Sequence, residues 1–588
     1  MIAFAAGVVR FLIGLVRDVA VFADHHRVTA LAAFAALAVG FLFYRSVLSR
    51  SAQVRRRARA LRWRIRLRLR PGAGYASLAE LVFRWGRLPA LVHGRRARPG
   101  LRFRARVFSR VTDYAVRLGR AQYGRRCLAR MEDQQLMIAP PRTGKSGALA
   151  DRLLDHPGPV IVTSTRADLY HLTAGARSQR GPVYVFNPQH VGGLPSGFSW
   201  NLLDPCADLV MARRMAAWLT GAMTGADSNL GNLEWFTSAA DTALMAMLHA
   251  AAVGGYTITD VYAWCQLQGH EAALRVLAAR PGNELLVGAL RRVTETNRTA
   301  ASIRESMSLS LAWATIPQMA AAATPGRGKG FNLTEFLADN GTLFLIAAGD
   351  EDSPVAPLFA AFTSWCAHEA GLIGSTAPAG RLDPPLWLGL DEVTQICPLA
   401  LPVLLADTGG KGVAITAVCH GTSQLADRWG EHGAKTVWAC CGSKVILGGI
   451  SDAQTLEDIS ALCGTVVLGE DDSKTVRVVP PEVIRGLPDW RALVLRSNLN
   501  PVVVSIRPAW KRLAYRLGRR VPVYVPRQQG AWTLEREPAP AELAPALSEA
   551  DLAKFFAADP AQDAPAPGAF PLPSGPDPRT FKRGEPSS

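Results

Sequence analysis

No two of the nine cysteines stand at the spacing of a metal-binding or redox pair. They are scattered at 127, 206, 265, 366, 397, 419, 440, 441 and 463. This pattern argues against a cysteine-built zinc site and against a disulfide framework, and fits a reducing compartment. Acidic residues are almost missing from one long stretch: from Arg45 to Arg130 there are 25 arginines, no lysine, and only Glu80 and Asp113 on the other side. That window carries +23 and residues 1–44 carry +1, so a total of +18 leaves about −6 for residues 131–588. The basicity belongs to one segment. A small-residue cleavage site ahead of a soluble domain is also lacking, so a removed signal peptide is not expected.

What is present begins with apolar runs. Val28–Tyr44 is 17 uncharged residues, which at ~1.5 Å per residue nearly crosses a ~30 Å hydrocarbon core. Ile2–Phe22 is apolar but contains Arg10, Arg17 and Asp18. Two readings fit it: an interfacial amphipathic helix, or the first span of a hairpin whose second span offsets the charges. Residues 1–48 are therefore expected to be a membrane anchor of one or two spans, followed by an arginine-rich membrane-proximal segment, 49–130. Arginines after Tyr44 place the remainder on the cytoplasmic side of the inner membrane. Within them, Leu61–Arg70 alternates arginine with apolar residues, as a strand would, yet also suits a helix continuing from the span. Anionic lipid and nucleic acid are both open as its partner.

Beyond residue 130, nine short β-branched runs recur: Gln135–Ala139, Pro159–Ser164, Val183–Asn187, Thr342–Ala348, Leu386–Glu392, Val413–His420, Lys444–Gly449, Ala492–Ser497 and Val502–Arg507. Most lack alternation, the mark of strands buried on both faces of a helix-covered sheet. The fold class is α/β. Long Ala/Leu/Met-rich stretches, Phe236–Val253 and Thr299–Ala314, predict an all-α insertion over 205–325 that ends at the glycine-rich PGRGKG. The sheet domain would then comprise 131–204 and 326–525. Residues 526–588 are rich in Pro and Ala, as in a disordered tail, with one short helix near Ser548–Ala557.

Two stretches carry chemistry. Ala139–Ser146, APPRTGKS, fits the phosphate-binding pattern GxxxxGK[ST] except for Ala at its first position. Ala139, Pro140, Pro141, Arg142, Thr143, Gly144, Lys145, Ser146 and Gly147 would surround the phosphates of ATP, with Lys145 on the β/γ-phosphates and Ser146 on Mg²⁺. The second stretch, PLWLGLDEV, closes an apolar run with two acids. Asp391 would hold the Mg²⁺ water shell and Glu392 would polarise the attacking water. His420 ends the next run and would sense the γ-phosphate.

The phosphate loop, the helical stretch after VYVFNP, and the run LDEVTQICPLALPVLLADTGGKGVAITAVCHGTSQL followed by CCGSKVILGGISDAQTLEDISALCG resemble the TraG/TraD coupling ATPases of conjugation and type IV secretion. The likeness covers roughly residues 110–510. It implies a RecA-like P-loop NTPase sheet with an inserted all-α domain, an N-terminal transmembrane region and hexameric rings. It also implies ATP-driven delivery of single-stranded DNA with its relaxase to the channel components of a secretion system. Two departures stand out: Lys411 occupies the basic position after LDE, and His420 stands where such proteins have Gln. Arg166 and Asp168, in TSTRADL, occupy a second-strand position near the nucleotide. A double-stranded-DNA pump of the FtsK type and an ATP-dependent recruiting receptor that does not translocate are the alternative expectations.

Overall fold

The computed structural model describes residues 74–223, 231–295, 297–326, 328–349, 354–467, 475–518, 523–526 and 532–535. The apolar runs Ile2–Phe22 and Val28–Tyr44, the alternating stretch Leu61–Arg70 and the helix expected near Ser548–Ala557 lie outside these residues. Among the described residues no helix is long and apolar enough to cross a membrane.

All nine apolar runs contain strands. With two more they build one eleven-stranded sheet: β1 (Ala115–Arg120), β2 (Arg126–Arg130), β3 (Gln135–Ile138), β4 (Val160–Ser164), β5 (Val183–Phe186), β6 (Thr342–Ile346), β7 (Leu386–Leu390), β8 (Val413–Cys419), β9 (Ser443–Leu447), β12 (Arg491–Arg496) and β13 (Val502–Ser505), numbered around a separate small hairpin of β10 (Thr465–Val467) and β11 (Thr475–Arg477). The order is β2-β1-β13-β12-β9-β3-β8-β7-β4-β6-β5. From β9 to β5 every pairing is parallel, whereas β12, β13, β1 and β2 add antiparallel. Parallel strands need crossovers, so both faces are covered, and β3, β4, β6, β7 and β8 are buried at every residue. A period of two survives beneath this uniform burial: Leu136 and Ile138 enter one hydrophobic core, and Met137 enters the other.

β1 and β2 were not singled out by the sequence pattern and lie inside the arginine-rich segment. One of their arginines is used within the fold, while Arg120, Arg126 and Arg130 stay exposed. Arg117 pairs with both Asp151 and Asp155 at 2.8 Å on the helix that follows β3. Three short helices, Leu78–Phe83, Arg87–Ala97 and Phe103–Phe108, precede β1. A further strand pair, Val523–Pro526 with Trp532–Glu535, extends past residue 526, beyond the point where strand signals fade in the sequence.

Between β5 and β6 the described residues from Leu209 to Ala338 are mainly helical. Helices Gly231–Gly254 and Arg298–Ser310 contain most of the two long helical stretches, and the second gives way to a 3-10 turn at Ala312–Thr315. Start signals are local: Asn297 Oδ1 accepts from the Ala300 amide at 2.7 Å, and Thr257 with Asp260 forms a capping box.

Where β4 and β6 begin, a buried cation is held without an acid among the described residues. Arg177 is fully buried and donates to Thr342 Oγ1 and to the carbonyls of His156 and Gly158, each at 2.7 Å. These bonds tie the start of β6 to the turn before β4. Arg177→Ala should strand several buried acceptors, each worth ~1–3 kcal/mol, and lower the thermal midpoint by many degrees while leaving nucleotide affinity unchanged at temperatures where the variant is folded. A melting curve within a degree or two of the parent would show that the acceptors find other partners.

Candidate functional site

The site lies where β3, β7 and β8 end side by side. β3 runs into the phosphate loop, whose first residue is held by the Ala139 amide donating to the Cys419 carbonyl at 3.0 Å. Ala139 stands where the usual pattern has glycine. Its methyl is fully buried in the core beside the sheet and its φ is not positive, so this position makes no demand for glycine. The demand falls later. Gly144 has φ +98°, and a Cβ there would meet the Trp490 ring at 3.0 Å. Thr143 Oγ1 braces the turn by donating to the Pro140 carbonyl at 2.7 Å. Gly144 then caps helix Lys145–Asp155 without a side-chain hydrogen bond, which leaves the first-turn amides directed to the loop for an anion.

Lys145 reaches across to the ends of the neighbouring strands. Its Nζ is ion-paired with Glu392 and lies 3.2 Å from Asp391 Oδ1. His420 completes the cluster: Nε2 is 3.1 Å from Glu392 Oε1, and Nδ1 is 3.0 Å from the Ala139 carbonyl. Both ring nitrogens thus face acceptors, and only the doubly protonated imidazolium can donate to both. The Glu392 hydrogen bond, opposed by partial burial, accordingly raises the His420 pKa above its ordinary 6.5. Burial pushes Glu392 upward, but His420 and Lys145 outweigh it and hold the carboxyl below its usual range. Asp391, 2% exposed, moves the other way: burial raises it, with Lys145 only partly compensating and Glu392 and Asp168 adding repulsion. Two basic and two acidic side chains therefore face one another in a mostly buried site. Glu392 holds a left-handed backbone at φ 48°, an uncommon strain that turns its side chain off the end of β7. Thr163 on β4 secures the neighbouring carbonyl, donating to Asp391 O at 2.8 Å.

The donor set suits Mg²⁺. Glu392 Oε2 and Asp391 Oδ1 are buried without a hydrogen-bond partner, although Lys145 stands near the latter. Among the described residues no three His, Cys, Asp or Glu form a cage. A hard cation that keeps its waters and shares nucleotide phosphates, with Ser146 and Asp391 as protein ligands, fits such a site.

The other sequence candidates divide. Asp168 begins helix Asp168–Arg177 just after β4 and is close enough to act on Asp391. Arg166 is exposed in the same turn, its carbonyl accepting from Ser164 Oγ at 2.8 Å. Lys411 does not join the cluster. It precedes β8, at the opposite end of the sheet from Lys145, and pairs with Asp407 at 2.5 Å. Trp490 is the residue that sequence reasoning missed. It would also lie 2.7 Å from a Cβ at Gly147, it stacks edge-on with Trp510 at 5.1 Å, and its own φ is 61°.

The imidazolium gives a test with a defined sign. A raised folded pKa means that His420 contributes stability fully below its ordinary 6.5 and loses it as pH climbs through the raised value. His420→Gln lacks that contribution. The difference in thermal midpoint between parent and variant should therefore be largest in mild acid and shrink as the solution becomes alkaline. A difference that is flat with pH would mean that His420 is neutral in the resting site.

Residues 385–486, which run from β7 through β8 and β9 to the segment after β11, match the family described as the TraM recognition site of TraD and TraG. No curated protein matches the chain. Among solved structures, the chain is similar to the bacterial conjugative coupling protein TrwBΔN70 in its unbound monoclinic form, with TM-score 0.52 and 20% identity over 66% of this chain and 88% of that one. It is similar to plasmid coupling protein TrwB in complex with ADP and Mg²⁺, with TM-score 0.51 and 20% identity over 66% and 88%. It is also similar to TrwB in complex with the non-hydrolysable GTP analogue GDPNP, with TM-score 0.50 and 21% identity over 65% and 88%. The chain thus has the fold of the conjugative coupling proteins, and its residues 385–486 match the TraM recognition site of TraD and TraG.

Proposed function

We propose that this chain is a membrane-anchored ATPase that recruits a relaxase–DNA complex and drives it into a type IV secretion channel, acting as a hexameric ring at the inner membrane. The observation that carries this reading is the convergence of Lys145, Asp391, Glu392 and His420 at one edge of three adjacent parallel strands. Its supports are the match of residues 385–486 to a TraM recognition site and the nucleotide-bound structures of TrwB, including one with ADP and Mg²⁺.

The resting ion cluster supports an order of events. An incoming triphosphate competes with two carboxylates for Lys145, so capture moves the ammonium from Glu392 to phosphate oxygens. Ser146 and Asp391 would hold Mg²⁺, which would supply positive charge against the phosphates. Glu392, relieved of Lys145, orients the attacking water and accepts its proton. His420 keeps its bond to the Ala139 carbonyl and couples the water-activating carboxylate to the start of the phosphate loop. In a ring, a basic residue of the neighbouring subunit would complete the charge balance, and turnover would move pore-facing loops along the phosphate backbone without base readout.

The test is ATP turnover by the full chain in detergent, with and without single-stranded DNA of unrelated sequences. Turnover stimulated by any single strand, and weakened by salt, is expected, with log K falling by roughly 0.7 per neutralised phosphate per tenfold salt. Turnover indifferent to DNA at low salt would favour the recruiting receptor over the motor.

A further inference from the structure

The three helices ahead of β1 form a cap whose outward side is unlike the rest of the surface. All three phenylalanines exposed among the described residues lie here: Phe83, Phe103 and Phe108, the last 88% exposed. Leu88 and Val92, 72% exposed, stand four apart on helix Arg87–Ala97, and the exposed Arg95 and Arg96 continue the same stripe. Arg87 Nη2 donates to the Val107 carbonyl at 2.5 Å, which brings Phe108 beside the start of that stripe. Between Arg84 and Arg110 seven arginines are exposed, the sequence contains no acid, and none of the seven is paired with a carboxylate among the described residues.

The cap is fastened to one end of the sheet. Arg98 is ion-paired with Asp383 just before β7, and Gly100 N donates to the same carboxylate at 2.5 Å. Arg381 binds both the Arg96 carbonyl at 2.9 Å and Glu132, just before β3, at 2.8 Å. These are the N-terminal ends of strands whose C-terminal ends carry the nucleotide site. The cap therefore lies at the end of the sheet opposite that site.

We infer that this face docks on an anionic bilayer surface, its phenylalanines and Leu88/Val92 entering the headgroup boundary and its arginines binding lipid phosphates. Charge complementarity selects this occupant. The preceding segment, Arg45–Arg70, holds eleven arginines and no acid, so it is repelled by the face and attracted to the same lipid. The apolar run Val28–Tyr44 ends thirty residues before Gly74, close enough to keep the cap near a membrane. The inference rests on the membrane placement proposed above, but not on ATP hydrolysis.

The experiment is amide hydrogen exchange on the full chain in nanodiscs of phosphatidylcholine alone and of phosphatidylcholine with phosphatidylglycerol. Backbone amides from Arg84 to Arg110 should exchange several-fold more slowly in the anionic discs only, and high salt should erase the difference. Near an anionic surface each arginine adds about fivefold to binding, so Arg102→Gln with Arg104→Gln should lower the docking constant roughly 25-fold. Phe103→Ser with Phe108→Ser tests the apolar part. These four side chains are exposed, so normal ATP turnover in detergent reports an intact fold. Equal exchange in both discs overturns the proposal. Protection that appears only with single-stranded DNA, that rises with protein concentration in neutral discs, or that vanishes when residues 536–588 are removed reassigns the face to nucleic acid, a second copy or the tail. Protection without any ATP turnover would leave this inference standing and remove the ATPase reading instead.

Discussion

Glu392→Gln is expected to bind ATP at least as well as the parent and to turn it over roughly 10²–10⁴-fold more slowly, the usual contribution of a general base. The amide keeps the size and shape that the left-handed turn after β7 accommodates, but it cannot take a proton from water. It also weakens the resting contact that holds Lys145 off an incoming phosphate. Tighter binding with blocked turnover is an unusual pair of effects and separates water activation from mere folding. Equilibrium binding of a fluorescent ATP analogue and single-turnover hydrolysis measure the two halves. If hydrolysis survives within tenfold of the parent, the base is elsewhere and the role assigned to Glu392 is wrong.

Lys145→Ala should act one step earlier and lower nucleotide affinity on the order of 100-fold, the loss of a charge-assisted contact to phosphate. A second consequence comes from the resting site. Without the ammonium, Asp391 and Glu392 keep only His420 as a cationic partner in a mostly buried setting. Asp391, whose pKa burial already raises, should then take up a proton more readily. The nucleotide-induced rise in melting temperature should vanish in this variant, whereas Glu392→Gln should keep it. A Lys145→Ala protein still stabilised by ATP and Mg²⁺ would place the phosphates away from this loop.

The parallel core was legible because strands buried on both faces must be apolar at successive positions, and such runs stand out without any knowledge of their neighbours. Their ends ran over by one or two residues where the chain leaves the ladder to build the site, at Ala139, Glu392 and His420. β1 and β2 escaped notice because arginines at 117, 120, 126 and 130 read as surface or membrane charge. Only the fold supplies Asp151 and Asp155 to absorb one of them. Asp391, Glu392 and His420 were identifiable one by one, each at the end of an apolar run, since chemistry collects at the carboxyl ends of parallel strands, and Lys145 was identifiable from the phosphate-loop pattern. Lys411 was assigned by analogy of spacing, but it sits on the turn before β8, where a strand's length separates it from the phosphates. Trp490 has no local signature. Its approach to Gly144 and Gly147 follows from β12 lying two strands from β3 in the sheet, a relation that no window of sequence contains.

The pairing of β1 with β13 sets a schedule for the chain's assembly. Arg120 and Ser505 are register partners separated by 385 positions. At about 5–20 residues per second of synthesis, roughly 20–80 s elapse between the two strands leaving the ribosome. A β1–β2 hairpin formed during that interval would present an open edge, and such edges are where nascent chains associate wrongly. Contacts of such long range are also slow to close once both partners exist. Completion of the sheet is therefore a late event in folding, and truncation anywhere before β13 should leave a product that aggregates through its first two strands.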